Sequence, residues 1–152
     1  MSCQASLRHH TLPSIFKNKA MKVTDLMIGD WVNLSEDDIY RIPCKVVELH
    51  TDELLVIQPQ DTACDIVGYD MIRSIPLTPE ILEKNGFNPT LFNSEDTPIA
   101  KVYPLKSIVG GYRFENFFPT SIHIRMNLIC VHELQHALRL CGLNDLADNF
   151  KI

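Results

Sequence analysis

Short β-branched runs broken by polar turns constrain this chain most. In residues 22–75, Cys44-Lys45-Val46-Val47-Glu48-Leu49 is partly alternating. The polar stretch His50-Thr51-Asp52-Glu53 follows, and Leu54-Leu55-Val56-Ile57 resumes the apolar pattern. That order reads as strand, turn, strand. Upstream, Gly29-Asp30 makes a tight turn feeding a strand at Trp31-Val32, and a last short strand falls near residues 71–75. Short strands joined by short turns predict a closed or nearly closed antiparallel sheet.

The second half changes texture. Thr78 is a good N-cap, Pro79 suits the first helical position and Glu80 complements the helix dipole. Leu77 can staple onto Leu82, Gly86 supplies a left-handed C′ position and Phe87 folds back on Leu82. A two-turn helix with both ends specified follows. Residues 88–98 read as a loop, residues 99–105 and 112–118 as strands, and Gly110-Gly111 as a turn between them. Ile122, Ile124, Met126 and Leu128 alternate with polar residues and predict a half-buried strand. A helix over 131–141, ended by Gly142, closes the chain. The fold class is α+β: a small barrel over 22–75, then over 76–152 a short helix, an antiparallel β-meander and an amphipathic helix.

Residues 1–20 lack apolar periodicity and Met21 begins a different texture; the division expected is a flexible leader over 1–21, with Met21 as a natural start. The chain has 152 residues and a formal charge of -5. Removing the leader's Arg8, Lys17 and Lys19 from the 14 basic residues leaves 11 against 19 acidic ones. So acidic a surface disfavours nucleic acid. No apolar run is long enough for a membrane span, and no secretory signal is recognisable. The five cysteines have no C-x-x-C spacing and read as reduced thiols in a cytoplasmic setting.

The G-D-W-V run at Gly29, Asp30, Trp31 and Val32 resembles SH3-like barrels of the KOW and Tudor kind. The stretches D-L-M-I-G-D-W-V at 25–32, I-P-L-T-P-E-I-L-E-K-N-G-F at 75–87 and V-H-E-L-Q-H-A-L-R-L at 131–140 resemble a group of small uncharacterised proteins encoded by phages and mobile elements of gut bacteria. That resemblance implies a cytosolic protein expressed with mobile DNA. It carries no assigned activity and transfers no functional residue.

One motif bears on chemistry. His132-Glu133-Leu134-Gln135-His136 spells H-E-x-x-H, the spacing by which zinc peptidases set two imidazoles on one helix face beside a general base. At about 100° per residue, Val131, Leu134, Ala137, Leu138 and Cys141 share one arc, and His132, His136 and Arg139 lie opposite. Those three are expected to face away from the core. A catalytic zinc needs a third protein ligand. The extended zincin pattern wants Gly where Arg139 stands and His where Gly142 stands. His123 lies too far along its strand, which leaves Asp145 or Asp148. The preferred reading is a surface helix with no metal and no cofactor. The alternative is a zinc hydrolase with His132, His136 and Asp145 or Asp148 as ligands and Glu133 as base.

Three further candidates come from the residues. Trp31, Tyr40, Tyr69 and Phe16 could form an aromatic cage, against a plain role for Trp31 in the barrel wall. Glu36-Asp37-Asp38 reads as a solvated hairpin tip. Tyr112, Phe114, Phe117 and Phe118 form the favoured protein-contact surface. The leading function is a non-catalytic interaction protein with a protein partner. Besides the zinc hydrolase, the alternatives are a nucleic-acid accessory protein and a protein that sequesters a host nucleotide signal.

Overall fold

The computed structural model describes residues 20–35, 37, 39–87, 100–105, 110–116 and 124–152. Most of the leader, the loop at 88–98, part of the acidic triplet, Phe16, Phe117, Phe118 and His123 lie outside the described residues.

Five strands form one antiparallel sheet: β1 (Trp31–Leu34), β2 (Ile42–Leu49), β3 (Glu53–Ile57), β4 (Asp65–Gly68) and β5 (Ile72–Arg73). Their order is β4-β3-β2-β1-β5, a curled half-barrel with β4 and β5 at its edges. β2 and β3 carry the two apolar runs read from the sequence, and the turn between them is closed by His50 N–H donating to Glu53 O at 2.9 Å. A bulge at Val47 shifts the register between Val46 and Glu48 and sharpens the local twist. Short 3-10 turns, Val23–Asp25 and Tyr69–Met71, lead into β1 and β5.

The second half begins with α1 (Pro79–Lys84). Thr78 Oγ1 accepts Ile81 N–H at 3.3 Å, Phe87 N–H donates to Leu82 O at 2.9 Å, and Gly86 has φ 80°. The expectations for Thr78, Pro79, Glu80, Gly86 and Phe87 hold. β6 (Ala100–Pro104), β7 (Tyr112–Asn116) and β8 (Arg125–Leu128) follow as an antiparallel meander in that order. α2 (Val131–Leu140) and α3 (Asn144–Asp148) complete the chain.

Two apolar clusters result. One fills the half-barrel around Val32, Cys44, Val46, Leu54, Val56 and Ile72. The other lies between α2 and the meander, around Leu82, Val102, Phe114, Leu128, Leu134 and Leu138. β1 belongs to both, because Val32 points into the first and Trp31 into the second. Alternation along one strand therefore builds a wall shared by two cores. Backbone bonds close the seam: Leu77 N–H donates to Ile129 O at 2.9 Å and Val131 N–H to Ile75 O at 2.8 Å.

Met21, read as a natural start, is buried in the half-barrel core. Three expectations need correction. Trp31 does not stay in the barrel wall; its indole enters the second core and donates from Nε1 to Phe150 O at 2.8 Å. Phe114 has no exposed surface and Tyr112 is only half-exposed, because β7 is the central strand of the meander and packs on α2's side. Phe114 therefore cannot contribute to a contact surface. Finally, the polar side of α2 does not face solvent, for reasons that lie in the turn before β1.

Candidate functional site

α2 has apolar residues on the arc that its periodicity assigns to a core, and Val131, Leu134, Ala137 and Leu138 are fully buried there. The opposite side is also covered. Residues 27–30 turn tightly at Gly29, where φ is 90°, and deliver Asp30 to the helix. Asp30 is completely buried. One of its carboxylate oxygens accepts Arg139 Nη1 at 2.7 Å, and the other meets His136 Nε2 at 2.6 Å and Met27 N–H at 2.8 Å. A buried carboxylate is tolerated only with such partners. Arg139 Nη2 stands 3.6 Å from Asp148 Oδ1, too long for a hydrogen bond but close enough for attraction.

Gln135 was not singled out from the sequence, yet its side chain makes three hydrogen bonds at the seam, as many as Asp30. Its oxygen accepts Trp31 N–H at 2.8 Å, and its amide nitrogen donates to Gly29 O and Ala147 O, both at 3.0 Å. It is fully buried. The signal was slight: on an α-helix Gln135 falls about 40° from Val131, at the border between the apolar arc and the Arg139 side. A polar residue there has to find partners in the core.

The motif residues sit at this seam. Glu133 Oε2 accepts Ile129 N–H at 2.7 Å and Cys130 N–H at 3.3 Å. It closes the start of α2 from within, as a capping-box glutamate does. His132 is 7% exposed, and its Nδ1 finds no hydrogen-bond partner among the described residues. Its ring meets that of His136 edge-on, with centroids 5.6 Å apart and planes at 76°. Burial pushes the His132 imidazole below its ordinary value; the Glu133, Asp30 and Asp25 carboxylates oppose that shift and His136 reinforces it.

A cleft of about 590 Å³ opens beside these residues. Met21, Thr24, Asp25, Arg73 and Ser74 line its half-barrel side, and Ile129, Cys130, His132, Glu133 and His136 its helix side. Its size is that of small-molecule and side-chain pockets. The structure thus brings the three motif residues to one concavity. It does not bring Asp145 or Asp148 there. Both are exposed on α3, which packs on the Arg139 end of α2, and Asp148 turns to Arg139. Among the described residues no group of three His, Cys, Asp or Glu side chains is placed to hold a metal ion. The carboxylate that reaches His136 is Asp30, and Arg139 shares it.

Of the aromatic residues considered as a cage, the three described ones, Trp31, Tyr40 and Tyr69, do not share one place. Trp31 lies in the second core, Tyr69 packs on the first and Tyr40 is 59% exposed. Lys45 Nζ lies 5.6 Å over the Trp31 ring and donates to Asp148 O at 2.7 Å, so this indole face already carries a cation from its own chain. Among the described residues no helix is long and apolar enough to cross a membrane. Comparison with protein-family models, curated proteins and solved structures gives no match.

Proposed function

We propose that this chain is a non-catalytic binding module that receives a segment of a partner protein in the cleft between the 23–25 turn and the start of α2. The observation that carries the non-catalytic reading is the engagement of Glu133. A general base needs its carboxylate at a bound water, whereas Glu133 Oε2 is held by two main-chain N–H groups of its own helix start. His136 is likewise held by Asp30. The H-E-x-x-H spacing then serves architecture: one residue caps the helix, one locks it to the turn before β1, and one packs the seam. What remains open is the cleft, with hydroxyls, charges and apolar surface on its walls. Such a mixed lining suits a peptide segment. The formal charge of -5 supports a protein partner over nucleic acid. An SH3-like identity for the half-barrel, an origin in phage or mobile DNA and a cytoplasmic location belong to the same reading.

A photo-crosslinking amino acid at Thr24, on the cleft wall, tests it against the same group at Tyr40, which is exposed elsewhere. One defined protein should be cross-linked in cells from Thr24 and not from Tyr40. That protein, purified, should bind at least tenfold more weakly to Thr24→Trp. Cross-linking that is equal at both positions, or absent at Thr24, overturns the reading. Stoichiometric zinc in gently purified protein, lost in His136→Ala, would replace it with the hydrolase.

A further inference from the structure

The meander turns only one of its two faces to a core. Val102, Phe114 and Leu128 point into the second core. Strand alternation therefore puts Lys101, Tyr103, Arg113, Glu115, Arg125 and Asn127 on the opposite face. The register sets them in two rows across the three strands: Lys101, Glu115 and Arg125 in one, Tyr103, Arg113 and Asn127 in the next. Three cations stand there against one carboxylate, in a chain whose formal charge is -5. The face reverses the charge of the rest of the chain.

That one carboxylate is already engaged. Glu115 is 8% exposed. Its Oε1 accepts the Tyr103 hydroxyl at 2.7 Å and lies 2.8 Å from Arg125 Nε. Arg113 Nε donates to Asn127 Oδ1 at 3.2 Å. Each guanidinium is thus gripped at Nε, the root of the planar group. This grip orients the plane and leaves the two Nη groups at its tip to other partners. Such a tip takes a carboxylate with two parallel bonds. The Arg125 side chain is 56% exposed, so its tip is accessible.

Arg113 and Arg125 are diagonal neighbours across β7 and β8. Side chains so placed start about 7 Å apart. Alternate residues of an extended chain are about 6.7 Å apart and point the same way. The spacing of the two arginines therefore matches that of two acidic residues separated by one other in a strand.

We propose that this face docks an extended acidic segment of a protein, whose carboxylates two residues apart are taken by Arg113 and Arg125. Lys101 flanks the segment from β6. A long polyanion suits the face less. Beyond about 8 Å, the screening length at physiological salt, a nucleic-acid strand would run over a chain of its own sign. The residues of this face are not those of the cleft, so the surface does not depend on what the cleft binds.

Three acetylated and amidated heptapeptides in one threonine-rich background test the proposal by NMR titration of the full chain at low salt. One carries two glutamates separated by one residue, one carries adjacent glutamates, and one carries glutamines in place of the separated pair. The first should shift the amides of β7 and β8 and bind with a Kd of about 1 mM. Arg113→Gln and Arg125→Gln should each weaken it about fivefold, the factor of one exposed ion pair. Adjacent glutamates point to opposite sides of a strand and should bind about fivefold more weakly as well. Equal affinity of the first peptide and either control overturns the proposal, and so do shifts confined to other elements. Those comparisons use the wild type alone and hold even if a variant fails to fold. Folded variants that bind the first peptide as well as the wild type also overturn it. A thymidine oligonucleotide that binds this face more tightly than the first peptide overturns the choice of a protein segment.

Discussion

The side-chain oxygen of Gln135 accepts the main-chain N–H of Trp31 at 2.8 Å, across 104 residues of chain. The same amide donates to Gly29 O and Ala147 O. One buried side chain thus completes the backbone bonding of the turn before β1, the first residue of β1 and α3. Gln135 is fully buried, so each unmade bond leaves a buried polar group stranded. Gln135→Met keeps volume and helix propensity but removes all three bonds. It should cost about 2–4 kcal/mol, read as a lower urea midpoint with an unchanged slope.

Local signals made the elements legible, and long-range pairing hid the site. α1 could be placed because Thr78, Pro79, Gly86 and Phe87 each act within one turn of the helix. The strands around Val46 and Val56 could be placed because alternation is a local property. The polar side of α2 was misjudged because its partner, Asp30, lies 106 residues from His136. Helical periodicity tells which residues share a face; it does not tell whether a second surface covers the polar one. Trp31 was misjudged for the same reason, since a strand serving two cores looks in sequence like a strand serving one. Gln135, at the border of the apolar arc, gave no clear local hint that α2 is covered beyond its apolar face.

Asp30 should behave as the hub of a buried charge cluster. Asp30→Ala leaves the Arg139 guanidinium and the His136 ring without their acceptor and should cost about 3–5 kcal/mol. Adding Arg139→Met removes the stranded charge. The double variant should therefore be more stable than Asp30→Ala alone, a sign that a double-mutant cycle by chemical denaturation reads directly. A double variant weaker than both singles would show that Asp30 acts by shape and not by charge.

Glu133 separates architecture from catalysis. Glu133→Gln keeps an oxygen for Ile129 and Cys130 N–H and should change stability by less than about 0.5 kcal/mol. Glu133→Ala removes the acceptor and should cost about 1 kcal/mol. Thermal melts of the two variants side by side check this. Equal losses would mean that the two N–H groups find another acceptor.

Two glycines with similar backbone angles should respond differently to a methyl group. Gly29 has φ 90° and Gly86 φ 80°, so alanine is strained at both by about 1–2 kcal/mol. At Gly86 the new Cβ meets nothing within 4 Å, whereas at Gly29 it would stand 3.0 Å from Arg139 Nη2 and 3.7 Å from Asp148 Oδ1. Arg139 cannot yield freely while Nη1 is bonded to Asp30. Gly29→Ala should thus be the more destabilising, by an amount that shrinks when Arg139→Met is added. Equal melting temperatures for Gly29→Ala and Gly86→Ala would mean that the guanidinium shifts at no cost.

The cysteines should report the half-barrel's integrity. Cys44 has no exposed surface, and burial pushes its thiol up to about 12, with Asp65 adding to the shift and a bond from the Leu34 backbone opposing it. The thiolate is the reactive form, so at pH 8 native Cys44 is both shielded and protonated. Cys64 is exposed on the approach to β4. Maleimide labelling followed by peptide mapping should modify Cys64 within the dead time and leave Cys44 unmodified until the sheet opens. Raising the pH to about 9 should speed labelling of an exposed thiol and leave Cys44 almost untouched. Its rate should instead follow denaturant concentration, because opening of the β1–β2–β3 sheet is the step that both wets and ionises it. Labelling of Cys44 that tracks pH in native buffer would mean that water already reaches the core between β1 and β2.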